Sequence, residues 1–353
     1  MKRHGNLWDK IVSMENIKAA FIKAAHGKHS KPEVAIVENN LDYYLKKIKE
    51  MLDNGTFTTS KYRIERIFEP KERLIYILPF FPDRIIHHAI MNVIEPIWDN
   101  LFIFDSYACR KGKGPHKGST KCVKMTMNNK YCLKCDISKY YPSINHNALK
   151  RIVEHKIKDR RVLDIIFDVI DSIPGETNVP IGNYMSQWLG NLYLNELDSF
   201  VKHTLHFKDY LRYCDDFCFF SNSKKELHNV ANLILDFVTN HLLLRFSKMD
   251  LFKTTRGVDF LGYRHFYNGK ILVRKSTAKN MMRYVKEIPH LINKGLMTPY
   301  TAECRLASVK GWISHANAYN LNKYMKLEEM MELVRSHIRR IEAQEILRPG
   351  LSA

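Results

Sequence analysis

Apolar side chains recur every three or four positions over residues 41–52, "LDYYLKKIKEML", at 41, 44, 45, 48, 51 and 52. That period predicts a helix with one apolar face, and Gly55 is placed to stop it. The pattern then changes. "YRIERIFEPKERLIYILPF" reads as two short strands around a turn at Glu69 to Glu72, and "DRIIHHAIMNVIEPIW" returns to helical spacing. Residues 108–130 carry seven Lys/Arg and no acid, with three glycines and one proline, which predicts a mobile basic loop running into a segment without a clear period. An apolar strand ending in "DISKYYPSI" follows, then helices near 146–157, 160–172, 186–206 and 224–244. "VDFLGYR" and "KILVRK" read as short strands, and from residue 276 onward the pattern is almost entirely helical.

A chain of 353 residues can hold two or three domains and bury a large core. Its charge is less ordinary: 56 Lys+Arg against 37 Asp+Glu give a formal +19. About half of that excess lies in residues 270–326, with eleven Lys/Arg against Glu287 and Glu303. Such a balance favours a polyanionic partner. No apolar run approaches a membrane span, and the start "MKRHGNLWDK" lacks a signal-peptide core, so a nucleic acid is expected in preference to a membrane. Seven cysteines without a regular framework suggest reduced thiols and a cytoplasmic setting.

"YLRYCDDFCFF", residues 210–220, sets Asp215 and Asp216 inside an aromatic, β-favouring run. Two adjacent carboxylates in an apolar strand or at a hairpin tip repel one another and resist burial unless a cation compensates them. Strand alternation in "YCLKCDISKYYPSI" puts Asp136 and Lys134 on the face opposite Tyr131, Leu133, Cys135 and Ile137. Carboxylates on two strands distant in sequence can meet in one sheet. Magnesium is held by one or two carboxylates together with substrate phosphates, and two such ions about 3.5–4 Å apart serve in-line phosphoryl displacement. A structural, salt-bridged Asp-Asp pair is the competing reading; the two stretches together, in a basic chain, favour metal.

These stretches resemble the two metal-binding motifs of reverse transcriptases, "DISKYYPSI" and "YCDDF". "EPKERLIYILPFFPDRIIHHAI" and "SYACRKGKGPHKG" resemble the fingers motifs of bacterial members, "LRFSKMDLFKT" the palm segment bearing a lysine, and "VDFLGYR" the primer-grip hairpin, so the likeness covers about residues 57–325. Within the family, "VPIGNYMSQWLGNLYLNELD" and "GWISHANAYNL" are similar to reverse transcriptases of diversity-generating retroelements, with Ile181 where a glutamine and Gln187 where a proline is usual. The resemblance implies an α+β right-hand fold: an N-terminal helical extension (1–56), fingers (57–130), a palm with part of the fingers and an antiparallel, RRM-like sheet (131–268), and a basic helical thumb (269–353). It implies copying of a template RNA into cDNA from deoxynucleoside triphosphates, with errors at template adenines, an RNA/cDNA hybrid as product and a small, basic, ring-forming accessory variability protein as partner, in a bacterial cytoplasm.

Roles follow position by position from the resemblance. Asp136 and Asp215 hold two Mg²⁺ ions, with the carbonyl of Ile137 as a further ligand and Asp216 supporting. Lys71 and Arg73 on the fingers turn bind the incoming nucleotide, while Arg110, Lys111 and Lys113 grip template phosphates. Tyr141 is the steric gate against a 2′-hydroxyl, Ile181 and Gly182 border the nucleotide, with Gly182 admitting close backbone approach, and Lys248 is a candidate general acid at the leaving pyrophosphate. Cys132 and Cys135 form a CxxC without a second pair at zinc spacing and read as buried strand thiols; His87 and His88 read as helix-surface or core residues. The rivals are an intron-type or retron-type reverse transcriptase and, in another class, an inert basic RNA-binding protein.

Overall fold

A computed structural model describes residues 3–68 and 72–346, with side chains to 344; the chain forms two compact units. Among the described residues no helix is long and apolar enough to cross a membrane.

Unit one comprises residues 1–114, 133–219 and 224–250. Its N-terminal part is helical, as expected: Trp8–Ile11, Met14–Ala25, Pro32–Glu38 and Leu41–Asp53. Met14–Ala25 buries Ile17, Phe21 and Ala24 on one face and packs against the helix Ile85–Asp99, whose Ile86, Ile90 and Ile94 face inward. Ser13 caps the first of these helices, accepting from the backbone N–H of Asn16. The Asn16 amide in turn donates to the carbonyls of Ile11 and Ala89. The first residues are therefore built into the unit rather than appended to it. The Asp159 carboxylate adds to this by accepting from the backbone N–H groups of Leu7 and Trp8.

The expected fingers hairpin forms from β1 (Arg63–Ile67) and β2 (Arg73–Ile77), antiparallel with Glu65 opposite Ile75. β3 (Tyr131–Ile137), β4 (Tyr210–Tyr213), β5 (Asp216–Ser221) and β6 (Phe246–Lys253) make a four-stranded sheet in the order β4-β5-β3-β6. Two strands far apart in sequence, β3 and β5, are thus neighbours at its centre. The helix Tyr184–Ser199 buries twelve of its sixteen residues, the polar Asn191, Asn195 and Asp198 among them, so it is a core helix whose buried polar groups need partners. The helices His146–Glu154, Arg160–Asp171 and Lys224–Asp236 match their expected positions within a few residues.

Unit two gathers residues 115–132, 220–223 and 251–353. It therefore draws on segments that the sequence assigns to fingers, palm and thumb. Here one expectation is corrected. The basic stretch is a loop only as far as Gly114; Pro115–Asn128 is a helix. Gly112 and Gly114 take positive φ (73° and 114°) and Pro115 opens the helix, where a missing N–H costs little. This helix packs against β8 of a three-stranded antiparallel sheet, β7 (Val258–Phe260), β8 (Tyr263–His265) and β9 (Ile271–Val273), through a buried Ser119 to His265 hydrogen bond of 2.7 Å. Four helices follow, Lys275–Asn293, Pro299–Ser314, Tyr319–Met325 and Leu327–Ile346, around a core that includes Val285, Ile288, Leu306 and Val334.

Candidate active site

The opening Asp-Asp pair lies at the tip of the β4–β5 hairpin. Tyr213 pairs with Asp216, so Cys214 and Asp215 form a two-residue turn, and Cys214 takes φ +51°. Primed hairpin turns need positive φ, and a cysteine adopts it only when the surroundings impose it. The surroundings here are specific. Arg212, fully buried, makes a two-pronged ion pair with the equally buried Asp198 of the helix Tyr184–Ser199. Its remaining N–H donates to the carbonyl of Cys214 at 3.1 Å and to the Asn191 side chain at 3.2 Å. Burial disfavours the guanidinium's charge, but the Asp198 carboxylate outweighs that and raises its pKa above the ordinary value. The Asn191 amide also donates to the carbonyl of Ala108, while the backbone N–H of Tyr107 donates to the carbonyl of Arg212. The Cys214–Asp215 turn is thereby held from two sides.

Asp136 sits on β3, beside β5, as alternation predicts, with Cys135 and Ile137 buried. The strand departs from strict alternation at its start, where Cys132 is buried as well; both cysteines are buried free thiols, as expected. Ser247 of β6 donates to the Asp136 carboxylate at 2.6 Å. Asp216 is partly buried and its Oδ2 meets the Lys134 ammonium at 3.1 Å, while its Oδ1 is buried without a hydrogen-bond partner. Burial pushes the Asp216 carboxyl up to about 6, against the pull of Lys134 and with the Asp136 and Asp215 charges adding to the rise. The Asp136 and Asp215 carboxylates thus act on Asp216, which has Lys134 as a counter-charge. Among the described residues no three His, Cys, Asp or Glu side chains form a metal cluster of their own.

Tyr141 belongs to the same site. Burial raises its hydroxyl well above the ordinary value, and the nearby Cys214, Cys109 and Asp215 raise it further. The neighbouring Tyr140 is buried and donates its hydroxyl to the carbonyl of Gly190.

Other expected residues fall elsewhere. Arg110 does not reach outward for template: its guanidinium bonds the Asp99 carboxylate and the carbonyls of Asp99, Ile103 and Ser106, and its side chain is 9% exposed. A buried cation needs such internal acceptors, and four of the five guanidinium N–H groups are spent on them. Lys113 is likewise engaged, donating to the Phe104 carbonyl at 2.7 Å and lying over that ring at 3.4 Å. Lys111 is exposed. Gly182 meets a second neighbour that its sequence did not show. At φ +118° a Cβ would meet the Tyr76 carbonyl oxygen and the Ile75 side chain at 2.9 Å, so the close approach it permits is to β2. Ile181 accepts from the Tyr76 N–H at 2.7 Å, fastening the same strand. Arg73 is exposed at the start of β2, and Lys71 lies outside the described residues. Lys248 is exposed and paired with Asp250 at 2.8 Å.

Arg212, Asp198, Asn191 and Ser247 escaped the sequence reading. One signal was available for the first: an arginine in the middle of "YLRYCDDF" demands a buried counter-charge.

A family model described as reverse transcriptase (RNA-dependent DNA polymerase) matches residues 69–265, more than half of the chain. The protein YkfC of Escherichia coli is 24% identical over 260 residues, 60% of this chain and 66% of its own length. The group II intron-encoded protein LtrA of Lactococcus lactis is 27% identical over 168 residues, 44% of this chain and 28% of its own. The chain therefore spans less than two thirds of either relative. A solved telomerase from Candida albicans, in complex with a fragment of telomeric RNA, aligns at 10% identity and TM-score 0.49 over 86% of this chain and 60% of that one.

Proposed function

The chain belongs to the reverse transcriptase (RNA-dependent DNA polymerase) family, and from that premise we propose that it polymerises DNA on an RNA template at the β3–β5 carboxylates. The observation that carries the reading is the convergence of Asp136, Asp215 and Asp216, one of whose oxygens is buried and unpartnered beside two further negative charges. Such a site fits a hard divalent cation. Oxygen-only donors suit magnesium, which Asp136 and Asp215 would hold, with the Ile137 carbonyl beside them. When bound, the ions supply charge neutralisation at the attacking and leaving oxygens.

The chain's own residues do the rest. Arg212 and Asn191 hold the turn so that Asp215 is oriented before substrate arrives. Ser247 fixes one oxygen of Asp136, and Lys134 holds one oxygen of Asp216 in its supporting place. Tyr141 lies beneath the sugar and rejects a 2′-hydroxyl by clash. Arg73 and Lys71 neutralise the triphosphate and Lys248 protonates the leaving group, in a right-hand arrangement whose basic C-terminal helices track the RNA/cDNA duplex in a bacterial cytoplasm.

The finer reading is a mutagenic enzyme of the diversity-generating kind, working with a basic ring-forming accessory protein. It rests on Ile181, which offers a nascent base pair no polar contact where glutamine would offer two. The intron-encoded relative supports the other reading, an intron-type enzyme. Two experiments decide. In primer extension on RNA, Asp136→Asn and Asp215→Asn should lose nucleotide addition by about a thousandfold or more, with RNA binding kept and steeply salt-dependent; equal loss of binding would refute the polymerase reading. Sequencing of cDNA should show Ile181→Gln lowering errors opposite adenine up to about tenfold; an unchanged error spectrum in an active variant would favour the intron type.

A further inference from the structure

Gly190 lies in the middle of the helix Tyr184–Ser199, fully enclosed, where glycine costs about 1 kcal/mol relative to alanine. A helix that is otherwise tightly packed has no local use for it. The explanation lies across from it. A Cβ on Gly190 would stand 3.0 Å from Cε1, 3.2 Å from Cζ and 3.2 Å from the hydroxyl oxygen of Tyr141, against an optimum of about 3.5–4.0 Å between carbons. Tyr140, bonded through its hydroxyl to the carbonyl of Gly190, ties the start of the Tyr141 segment to the same turn of helix.

We propose that Gly190 is the floor of the slot in which the Tyr141 ring lies, and so a residue that sets nucleotide affinity and sugar selectivity. The inference rests on the reading of Tyr141 as the gate. With helix backbone on one side, a ring pushed by a Cβ yields away from the helix, which on the gate reading is toward the sugar. A single methyl at position 190 displaces it by a few tenths of an ångström that way. The gate then closes further: the 2′-hydroxyl is excluded more strongly and the deoxynucleotide itself is crowded.

Single-nucleotide extension with deoxy- and ribonucleotides on one RNA template tests this as a double-mutant cycle. Gly190→Ala should raise KM for the deoxynucleotide by about tenfold, the usual cost of one overpacked methyl group, with kcat much less affected. It should also raise the deoxy-over-ribo preference, the opposite of the relaxation expected for Tyr141→Ala. In the Tyr141→Ala background the same methyl should do nothing, because the ring it pushes is gone. Equal effects in both backgrounds, or no change in KM and preference in the parent, would overturn the slot. Tyr141→Ala with unchanged sugar selectivity, alongside a KM effect confined to the parent, would instead sink the gate reading and leave the slot standing. Should Gly190→Ala fail to fold, restoration of folding by Tyr141→Phe or Tyr141→Ala reports the same contact, and failure of both to restore it overturns the proposal.

Discussion

Two hairpins of one unit, β1–β2 and β4–β5, share a topology and differ in everything that holds them. Every residue of β1 is exposed, and of β2 only Tyr76 is buried. Ile64 and Phe68 stand 56% and 69% exposed. The outer hairpin depends on its own ladder, on surface ion pairs such as Arg66–Glu72, and on the seam where Tyr76 bonds Ile181 beside Gly182. The β4–β5 hairpin buries eight of its ten strand residues and half-buries the other two, and Arg212 ties its turn to a buried helix. The difference is physical. A turn that must aim a carboxylate at a fixed point is over-determined by buried polar contacts, each costly to break. A segment fastened at one seam and left solvated, as β1–β2 is, opens locally at low free energy, which suits the nucleotide-binding role proposed for it.

The contrast can be broken from either side. Arg212→Met should have the largest effect, since it leaves Asp198 buried and unpaired: about 3–5 kcal/mol of stability, read as a lower urea midpoint. A midpoint within error of the parent would mean that the ion pair does not hold the turn. Asn191→Ala removes the bridge between Ala108 and Arg212 but keeps the ion pair, so a loss of about 1–3 kcal/mol is expected. Nucleotide addition per folded molecule should fall with it, and binding of Mn²⁺ followed by electron paramagnetic resonance should weaken even without nucleotide. Gly182→Ala acts on the outer hairpin, forcing an alanine into positive φ against the Tyr76 carbonyl at 2.9 Å. Local strain of about 1–3 kcal/mol should speed hydrogen exchange at the Tyr76 amide while lowering the urea midpoint less than Asn191→Ala does; matched losses would erase the distinction between the hairpins. Arg66→Ala should be smallest, below about 1 kcal/mol, with an unfolding midpoint no more salt-sensitive than the parent's.

The sequence by itself determined the elements with strong periods and the chemistry confined to one short stretch. The fingers strands, the helices from 146 onward and the strand-borne carboxylates were legible because each is specified by neighbours two to four residues away. What it could not decide was which charged side chains face outward. Arg110 and Arg212 are both arginines beside glycine or aromatic residues, yet the fold turns both inward, onto Asp99 and Asp198. Their partners lie 11 and 14 positions away on other elements, beyond the reach of any local period. Glycine was ambiguous for the same reason. Gly182 is read as permissive from the chain alone, and only packing shows that it makes room for β2 and Gly190 for the ring of Tyr141. Periodicity encodes which face of an element is apolar, whereas the partner of a buried charge or the occupant of a glycine's empty side is settled when distant segments meet.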